Sequence, residues 1–298
     1  MSNAEPKLYH ELWIHREMLR DTIRCEAYQQ AISKAVQPGD VALDIGTGTG
    51  IQAMFAAMAG AKKVYAVDRT SIARVAQEIV SLNGLSDKIQ VIEDDIVNIH
   101  LPEKVDVITA EWMGGFGVDE NLLGVVLQAR DKWLKEGGAM VPAEVTAWIA
   151  PVWDPNIDEN LKFWQEKPYG LDLSLIGKQT VNEIHNAMHH IQNQNLLVDP
   201  VEMWRHDCQT FPVADAEKPF HAKAQFTAAK DGKTCALTAW FTSVLWADVT
   251  LSNAPNSPTT HWGRTVLPLS RGIELSKGDI INIEFICTPQ EANLCHTE

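Results

Sequence analysis

Two glutamates stand nine residues apart in the stretch Thr109-Ala110-Glu111-Trp112-Met113-Gly114-Gly115-Phe116-Gly117-Val118-Asp119-Glu120. The stretch follows a β-branched run and is rich in glycine, as a loop at a strand end would be. Two carboxylates on such a loop can grip a planar guanidinium through bidentate, charge-assisted hydrogen bonds. A second chemical signal lies upstream, in Leu43-Asp44-Ile45-Gly46-Thr47-Gly48-Thr49-Gly50. Glycines at Gly46, Gly48 and Gly50 let the backbone turn sharply and approach a ligand closely. The spacing is G-x-G-x-G rather than the G-x-G-x-x-G of dinucleotide sites. Asp44 precedes the first glycine. Asp68 closes the next apolar run, where a carboxylate can accept hydrogen bonds from two ribose hydroxyls. Asp94-Asp95-Ile96 follows the run after that. His185, His189 and His190 have spacing that suits a metal on a helix, but they lack an obvious third ligand, so a solvated helix face is expected and no metal.

These residues need elements to hold them. Val41–Ile45, Lys63–Val67, Ile89–Ile92 and Val105–Thr109 read as buried strands. Ile51–Ala59, Ser71–Leu82 and Leu122–Leu134 read as helices, the second closed by Asn83-Gly84 and the third by Gly137-Gly138. Ala139–Ile149 reads as extended. This β-α-β-α rhythm implies a parallel sheet with helices on both faces. Asp154-Pro155-Asn156 marks a change of character. Residues 157–190 look partly helical, and after Asp199-Pro200 short alternating segments at Ala222–Ala228, Ala236–Phe241, Trp246–Leu251 and Ile280–Ile286 are separated by turn signals. The expected organisation is an N-terminal helical segment over 1–35, a cofactor domain over 36–150 and a mostly β, barrel-like domain over 151–298.

With these motifs in place, the chain resembles the S-adenosylmethionine-dependent methyltransferases of Rossmann-like fold, in which an acid precedes the G-x-G-x-G turn. Along residues 9 to 288 it is similar to the protein arginine methyltransferases. Glu111-Trp112-Met113-Gly114 with Glu120 resembles that family's double-glutamate loop. His15-Arg-Glu-Met18-Leu19-Arg-Asp21-Thr-Ile-Arg24 resembles its His-x-x-Met-Leu-x-Asp-x-x-Arg helix, and Thr260-His261-Trp262 its Thr-His-Trp loop. Ala129–Leu134 also fits. The resemblance implies S-adenosylmethionine as cofactor. Arg24 would pair with the cofactor's methionine carboxylate, Asp68 would hold the ribose, and Asp95 and Ile96 would meet adenine, with Asp44, Gly46, Gly48, Gly50 and Glu111 completing that site. Glu111 and Glu120 would bind the substrate guanidinium, and Asp21 and His261 would pair beside it. Met18, Met113 and Trp262 would shape the substrate pocket. A segment at about 155–190 would be the helical arm through which the family forms homodimers. The chain departs from the family at Gly115, where an aromatic is usual, at Asp119, at Val97 where a glutamate is common, and at Glu5-Pro6, although Tyr9 of the Tyr-Phe-x-x-Tyr helix remains.

Composition narrows the partners. The 298 residues carry a net charge of -14, which disfavours a nucleic-acid backbone and suits a cationic substrate. Cys25, Cys208, Cys235, Cys287 and Cys295 are scattered without a C-x-x-C pair, so a reducing cytoplasm is expected. The N-terminal Met1–Leu12 has no apolar signal core, and no long apolar stretch follows, so no membrane is expected. The expected substrate is arginine in a protein or peptide. Methylation of a small amine or guanidine compound, and a non-catalytic cofactor-binding scaffold, are compatible alternatives.

Overall fold

The computed structural model describes residues 12–181 and 184–288. The readings placed on Glu5-Pro6, Tyr9 and Cys295 lie outside them.

Two helices lead in, α1 (Leu12–Arg20) and α2 (Thr22–Ala35). The His15–Arg24 motif is therefore broken at Asp21, whose carboxylate caps α2 by accepting the Arg24 amide. Then come β1 (Val41–Ile45), α3 (Ile51–Ala59), β2 (Lys63–Asp68), α4 (Ile72–Leu82), β3 (Ile89–Glu93), β4 (Val105–Ala110), α5 (Leu123–Trp133) and β5 (Leu134–Val141). The five strands form one parallel sheet in the order β3-β2-β1-β4-β5. Every residue of β1 is buried, which is why Val-Ala-Leu-Asp-Ile reads as a continuous run rather than an alternating one. The chain order reverses between β1 and β4. Register aligns Ile45 with both Val67 and Ala110, so the loops after β1, β2 and β4 open at one edge of the sheet. That crevice is where open α/β sheets bind ligands.

The expected helix stop at Gly137-Gly138 is displaced. The helix ends at Trp133, Leu134 is already extended, and both glycines lie within β5. A Cβ at Gly138 would sit 2.8 Å from the Asp106 carbonyl oxygen, so this glycine serves strand approach rather than helix termination.

The second body begins earlier than residue 151. Strand β6 (Glu144–Val152) pairs with β7 (Val201–Asp207) and β9 (Gly232–Trp246), and β9 also pairs with β10 (Val249–Ser252) and β11 (Thr265–Leu275). A separate antiparallel pair joins β8 (Phe220–Thr227) to β12 (Ile280–Cys287). Helices α6 (Pro155–Phe163), α7 (Ser174–Thr180) and α8 (Val213–Ala216) lie between strands. Trp246 ends β9 instead of opening the next strand. Residues 185–190 are not helical: His185 pairs with Val266, and His190 Nε2 lies 3.2 Å from Asp154 Oδ2. The expected helical histidine face is therefore absent. Arg130 on α5 ties the two bodies together, donating to the carbonyls of Cys208 (3.0 Å) and Phe211 (2.8 Å).

One buried group should make this body acid-sensitive. His206 on β7 is 3% exposed, neither ring nitrogen has a hydrogen-bond partner among the described residues, and its ring packs on Phe211 and Phe220. Burial lowers its pKa to about 4. The unfolded histidine takes up its proton near pH 6.5, while the folded one stays neutral. The contribution of His206 is therefore complete above the unfolded value and is lost as pH falls through this window. Acidification from neutrality to about pH 4 should remove about 3 kcal/mol through this residue. His206→Phe should flatten the pH dependence of urea unfolding over that range. An unchanged acid slope would refute the assignment.

Candidate active site

The G-x-G-x-G turn is held at the sheet edge by its own backbone. The amides of Gly46 and Thr47 both donate to Val67 O, at 2.9 and 3.0 Å. All three glycines take positive φ. Gly46 and Gly48 line a cavity of about 410 Å³, and the space beside the Gly46 Cα is open. Asp68 Oδ2 accepts the Gly48 amide at 2.9 Å, while Oδ1 accepts the amide and hydroxyl of Thr70. The Asp68 side chain is thereby fixed on the cavity wall. Asp95, Ile96 and Val97 form the wall beyond β3, and Asp95 Oδ1 accepts the Val97 amide.

Asp44 and Gly50 do not line this cavity. Asp44 is 1% exposed and lies behind the turn, where Oδ2 accepts Thr47 Oγ1 and the Ala53 amide. Burial raises its pKa to about 7, against the lowering effect of those two hydrogen bonds. It ties the turn to α3. Gly50 caps the start of α3 in a left-handed conformation.

At the end of β4, Arg24 and Glu111 meet directly. Arg24 Nε and Nη2 donate to Glu111 Oε2 at 3.2 and 2.9 Å, and the Met113 amide donates to Oε1 at 3.1 Å. The pair is nearly buried, at 9% and 11% side-chain exposure. Burial, the largest single influence, would lower the Arg24 pKa, but the charge and hydrogen bond of Glu111 together with Tyr28 and Cys25 outweigh it and the pKa is raised. The residue expected to take a cofactor carboxylate and the one expected to take a guanidinium are thus partners across the same wall. Glu120 also lines the cavity. Asp119 does not extend the acidic surface. It is 5% exposed and accepts the amides of Gly115 (2.9 Å) and Phe116 (3.0 Å), and burial raises its pKa.

Asp21 Oδ2 accepts both the His261 amide and a bond from Nδ1, each at 2.8 Å. Burial pushes the Asp21 pKa up, but the His261 and Arg24 hydrogen bonds dominate and lower it. His261 and Trp262 line the cavity, and their ring centroids lie 4.0 Å apart with the planes tilted by 37°. Met18 lines it as well. Met113 does not: its side chain is 1% exposed, and it contributes backbone only, its carbonyl accepting Trp262 Nε1 at 2.7 Å. His15, Gln52 and Thr70 line the cavity without having been assigned a role from the sequence. A Cβ on Gly48 would touch the His15 ring at 3.5 Å. The first letter of the His-x-x-Met motif was the available signal. Among the described residues, no group of three His, Cys, Asp or Glu is arranged to hold a metal.

The pattern of the arginine methyltransferase oligomerization subdomain matches residues 143–298, and that of the ribosomal protein L11 methyltransferase matches residues 26–116. Protein arginine N-methyltransferase 6 of Danio rerio is 35% identical over 97% of this chain and 85% of its own length. This chain belongs to the protein arginine methyltransferase family. Protein arginine N-methyltransferase 1 of Saccharomyces cerevisiae is likewise 35% identical, over 96% of this chain and 83% of its own length. Among solved structures, the Trypanosoma brucei PRMT1 enzyme-prozyme heterotetrameric complex with AdoHcy superposes with a TM-score of 0.87 at 32% identity, covering 95% of this chain and 90% of that one. Arabidopsis thaliana protein arginine methyltransferase 10 gives 0.80 at 32% identity, covering 93% and 88%. The family's parallel Rossmann-like sheet and antiparallel second body are both present here.

Proposed function

We propose that this member of the family transfers a methyl group from S-adenosylmethionine to a guanidinium nitrogen of arginine in a protein or peptide. The observation that carries this reading is the Glu111 carboxylate, oriented by Arg24 and the Met113 amide on the wall of the cavity that Asp68 and the glycine turn also line. The cavity suits the cofactor: Asp68 offers a fixed acceptor, Ile96 and Val97 an apolar wall, Gly46 an open approach. The bound cofactor supplies an electrophilic sulfonium methyl. Asp68→Ala should weaken binding of S-adenosylhomocysteine by 1.5–3 kcal/mol, roughly ten- to a hundredfold, measured by calorimetry. Unchanged affinity would place the ribose elsewhere.

The residues act on the substrate as follows. A carboxylate offers about four lone-pair directions. Arg24 Nε, Arg24 Nη2 and the Met113 amide occupy three on Glu111. Glu111 therefore grips a substrate guanidinium together with Glu120 rather than alone. Their negative charge draws positive charge onto the non-reacting nitrogens and leaves one terminal nitrogen more able to attack. Asp21, paired with His261, holds the imidazole where it can accept a proton after transfer. Trp262 and Met18 exclude water from the reacting nitrogen.

Labelled methyl transfer to an arginine-rich peptide, with the lysine-substituted peptide and free arginine as controls, tests the proposal. Label on the arginine peptide alone supports it. Label on free arginine alone shifts the substrate to a small guanidine compound.

The oligomerization subdomain match and the exposed Phe163, Tyr169, Leu171, Leu175 and Ile176 support a homodimer built through the arm at 155–190. A monomer in light scattering at micromolar concentration would refute this. No helix among the described residues is long and apolar enough to cross a membrane. Cys25, Cys208 and Cys235 form no disulfide among the described residues, which supports a reducing cytoplasm.

A further inference from the structure

We propose that Asn253 is a positioning residue that holds the glutamate loop and the His261–Trp262 loop at a fixed separation. It follows β10, is 1% exposed, and is hydrogen-bonded on both ends of its amide. Oδ1 accepts the Phe241 amide at 2.8 Å, and Nδ2 donates to Gly115 O and Gly263 O, each at 2.7 Å. One partner is an N–H and the other two are carbonyls, so the orientation of the amide is dictated by its surroundings. Gly115 lies in the loop that carries Glu111 and Glu120. Gly263 directly follows His261 and Trp262. A single side chain therefore joins the two halves of the site to β9.

The same loop is gripped from its other sides. Asp119 takes the Gly115 and Phe116 amides, while the Phe116 ring packs edge-on against Phe285 at 5.9 Å and against Trp204 at 6.2 Å. Gly115 comes so close to β11 that a Cβ would lie 2.1 Å from Thr265 Oγ1. Gly115 is a bare backbone unit held by Asp119 on its amide and by Asn253 on its carbonyl. Removing the two Nδ2 donors leaves two buried carbonyls unsatisfied, and both loops then relax.

The catalytic part of this inference rests on the methyl-transfer reading; the clamp itself does not. Two variants of the full chain test it, Asn253→Asp, which keeps the volume and removes the donors, and Asn253→Ala. Hydrogen exchange should rise about tenfold at Gly114–Gly117 and at His261–Gly263 together, while Asp44–Gly50 keeps its protection. The arginine-peptide turnover number should fall roughly ten- to a hundredfold with a raised peptide KM, and S-adenosylhomocysteine affinity should hold within about twofold, since Asp68 and the Gly46–Gly50 turn lie outside both loops and are held by their own hydrogen bonds. If Asn253→Asp does not fold, Asn253→Ala carries both measurements. Unchanged exchange in either loop, or exchange rising equally at Asp44–Gly50, overturns the clamp whether or not the parent methylates arginine. A loss of turnover matched by a loss of cofactor-binding sites, with KM unmoved, makes Asn253 a stability residue and overturns the positioning role.

Discussion

Glu111→Gln will retain the secondary structure and lose about three orders of magnitude in arginine methyl transfer. Two effects add. Glutamine has nearly the shape of glutamate, so the end of β4 is not repacked. It cannot match the present partners, however. Its oxygen can serve Arg24 or the Met113 amide, and whichever it serves, its NH2 faces a donor on the other side. The charge that should draw positive charge away from the reacting nitrogen is also gone, and removing one preorganised electrostatic partner is worth about 10²–10³ in turnover. Arg24, at 9% exposure, is left without its counter-charge. Breaking a buried pair from one side costs about 3–5 kcal/mol, and the retained hydrogen bond should keep the loss near the lower end. Labelled transfer to the peptide measures the first effect and urea unfolding the second. Near-normal turnover would remove Glu111 from the mechanism. A stability loss without a turnover loss would make the Arg24 pair purely structural.

What was readable in the sequence follows from how each feature is encoded. The parallel sheet is built from buried runs such as Val41–Ile45 and Lys63–Asp68, whose apolar character is local and continuous. Their strand assignment needed no knowledge of tertiary contacts. The second body is encoded less directly. Strand β7 breaks its alternation, with buried Met203 and His206 three residues apart and a register shift between Glu202 and Trp204, and its exposed Glu202, Arg205 and Asp207 resemble the charges of a loop. Strand β11 contains Pro268 and Gly272, and its register shifts between Pro268 and Ile273, so no uninterrupted pattern announces it. The turn between β9 and β10 places Ala247 at φ 52 with neither glycine nor asparagine to mark it, so the sequence pattern puts Trp246 in the following strand although it ends β9.

The site divides in the same way. Motif spacing located Gly46, Gly48, Asp68, Glu111, Glu120 and His261, all of which line the cavity. It could not separate residues that face the cavity from those that support it. Asp44, Gly50 and Met113 share motifs with lining residues, yet they act through helix capping or backbone hydrogen bonds. Asp119 reads as a third carboxylate beside Glu120 because adjacent letters look equivalent. Three-dimensional burial turns it toward the amides of its own loop. Asn253 is in no motif at all. Its partners lie 138, 12 and 10 residues away, and only the fold brings them together.

Gly263→Ala will be among the most damaging single-methyl additions in the chain, costing about 3–4 kcal/mol. Gly263 sits at φ +57, and an L side chain in that left-handed region costs roughly 1–2 kcal/mol. The larger part is steric. A Cβ there would lie 2.5 Å from the carbonyl carbon of Ala187, 2.7 Å from its Cα and 2.8 Å from the Met188 amide nitrogen. These are backbone atoms, so no rotamer change relieves the contact. The 185–188 strip cannot retreat cheaply either, since the His185 and Val266 amides exchange hydrogen bonds with each other's carbonyls and Met188 N donates to Arg264 O. Overpacking of this kind typically adds 1–3 kcal/mol. Gly137 provides the control. It has φ +73 with nothing within 4 Å of its would-be Cβ, so Gly137→Ala should cost only the conformational part, about 1 kcal/mol. The difference between the two urea midpoints isolates the steric contribution. Because the Gly263 carbonyl accepts Asn253 Nδ2 and Trp262 precedes it, the folded fraction of Gly263→Ala should also turn over at least about tenfold more slowly. Equal losses for Gly263→Ala and Gly137→Ala would mean that the 185–188 strip yields freely, and that the His261–Trp262 loop is not held against it.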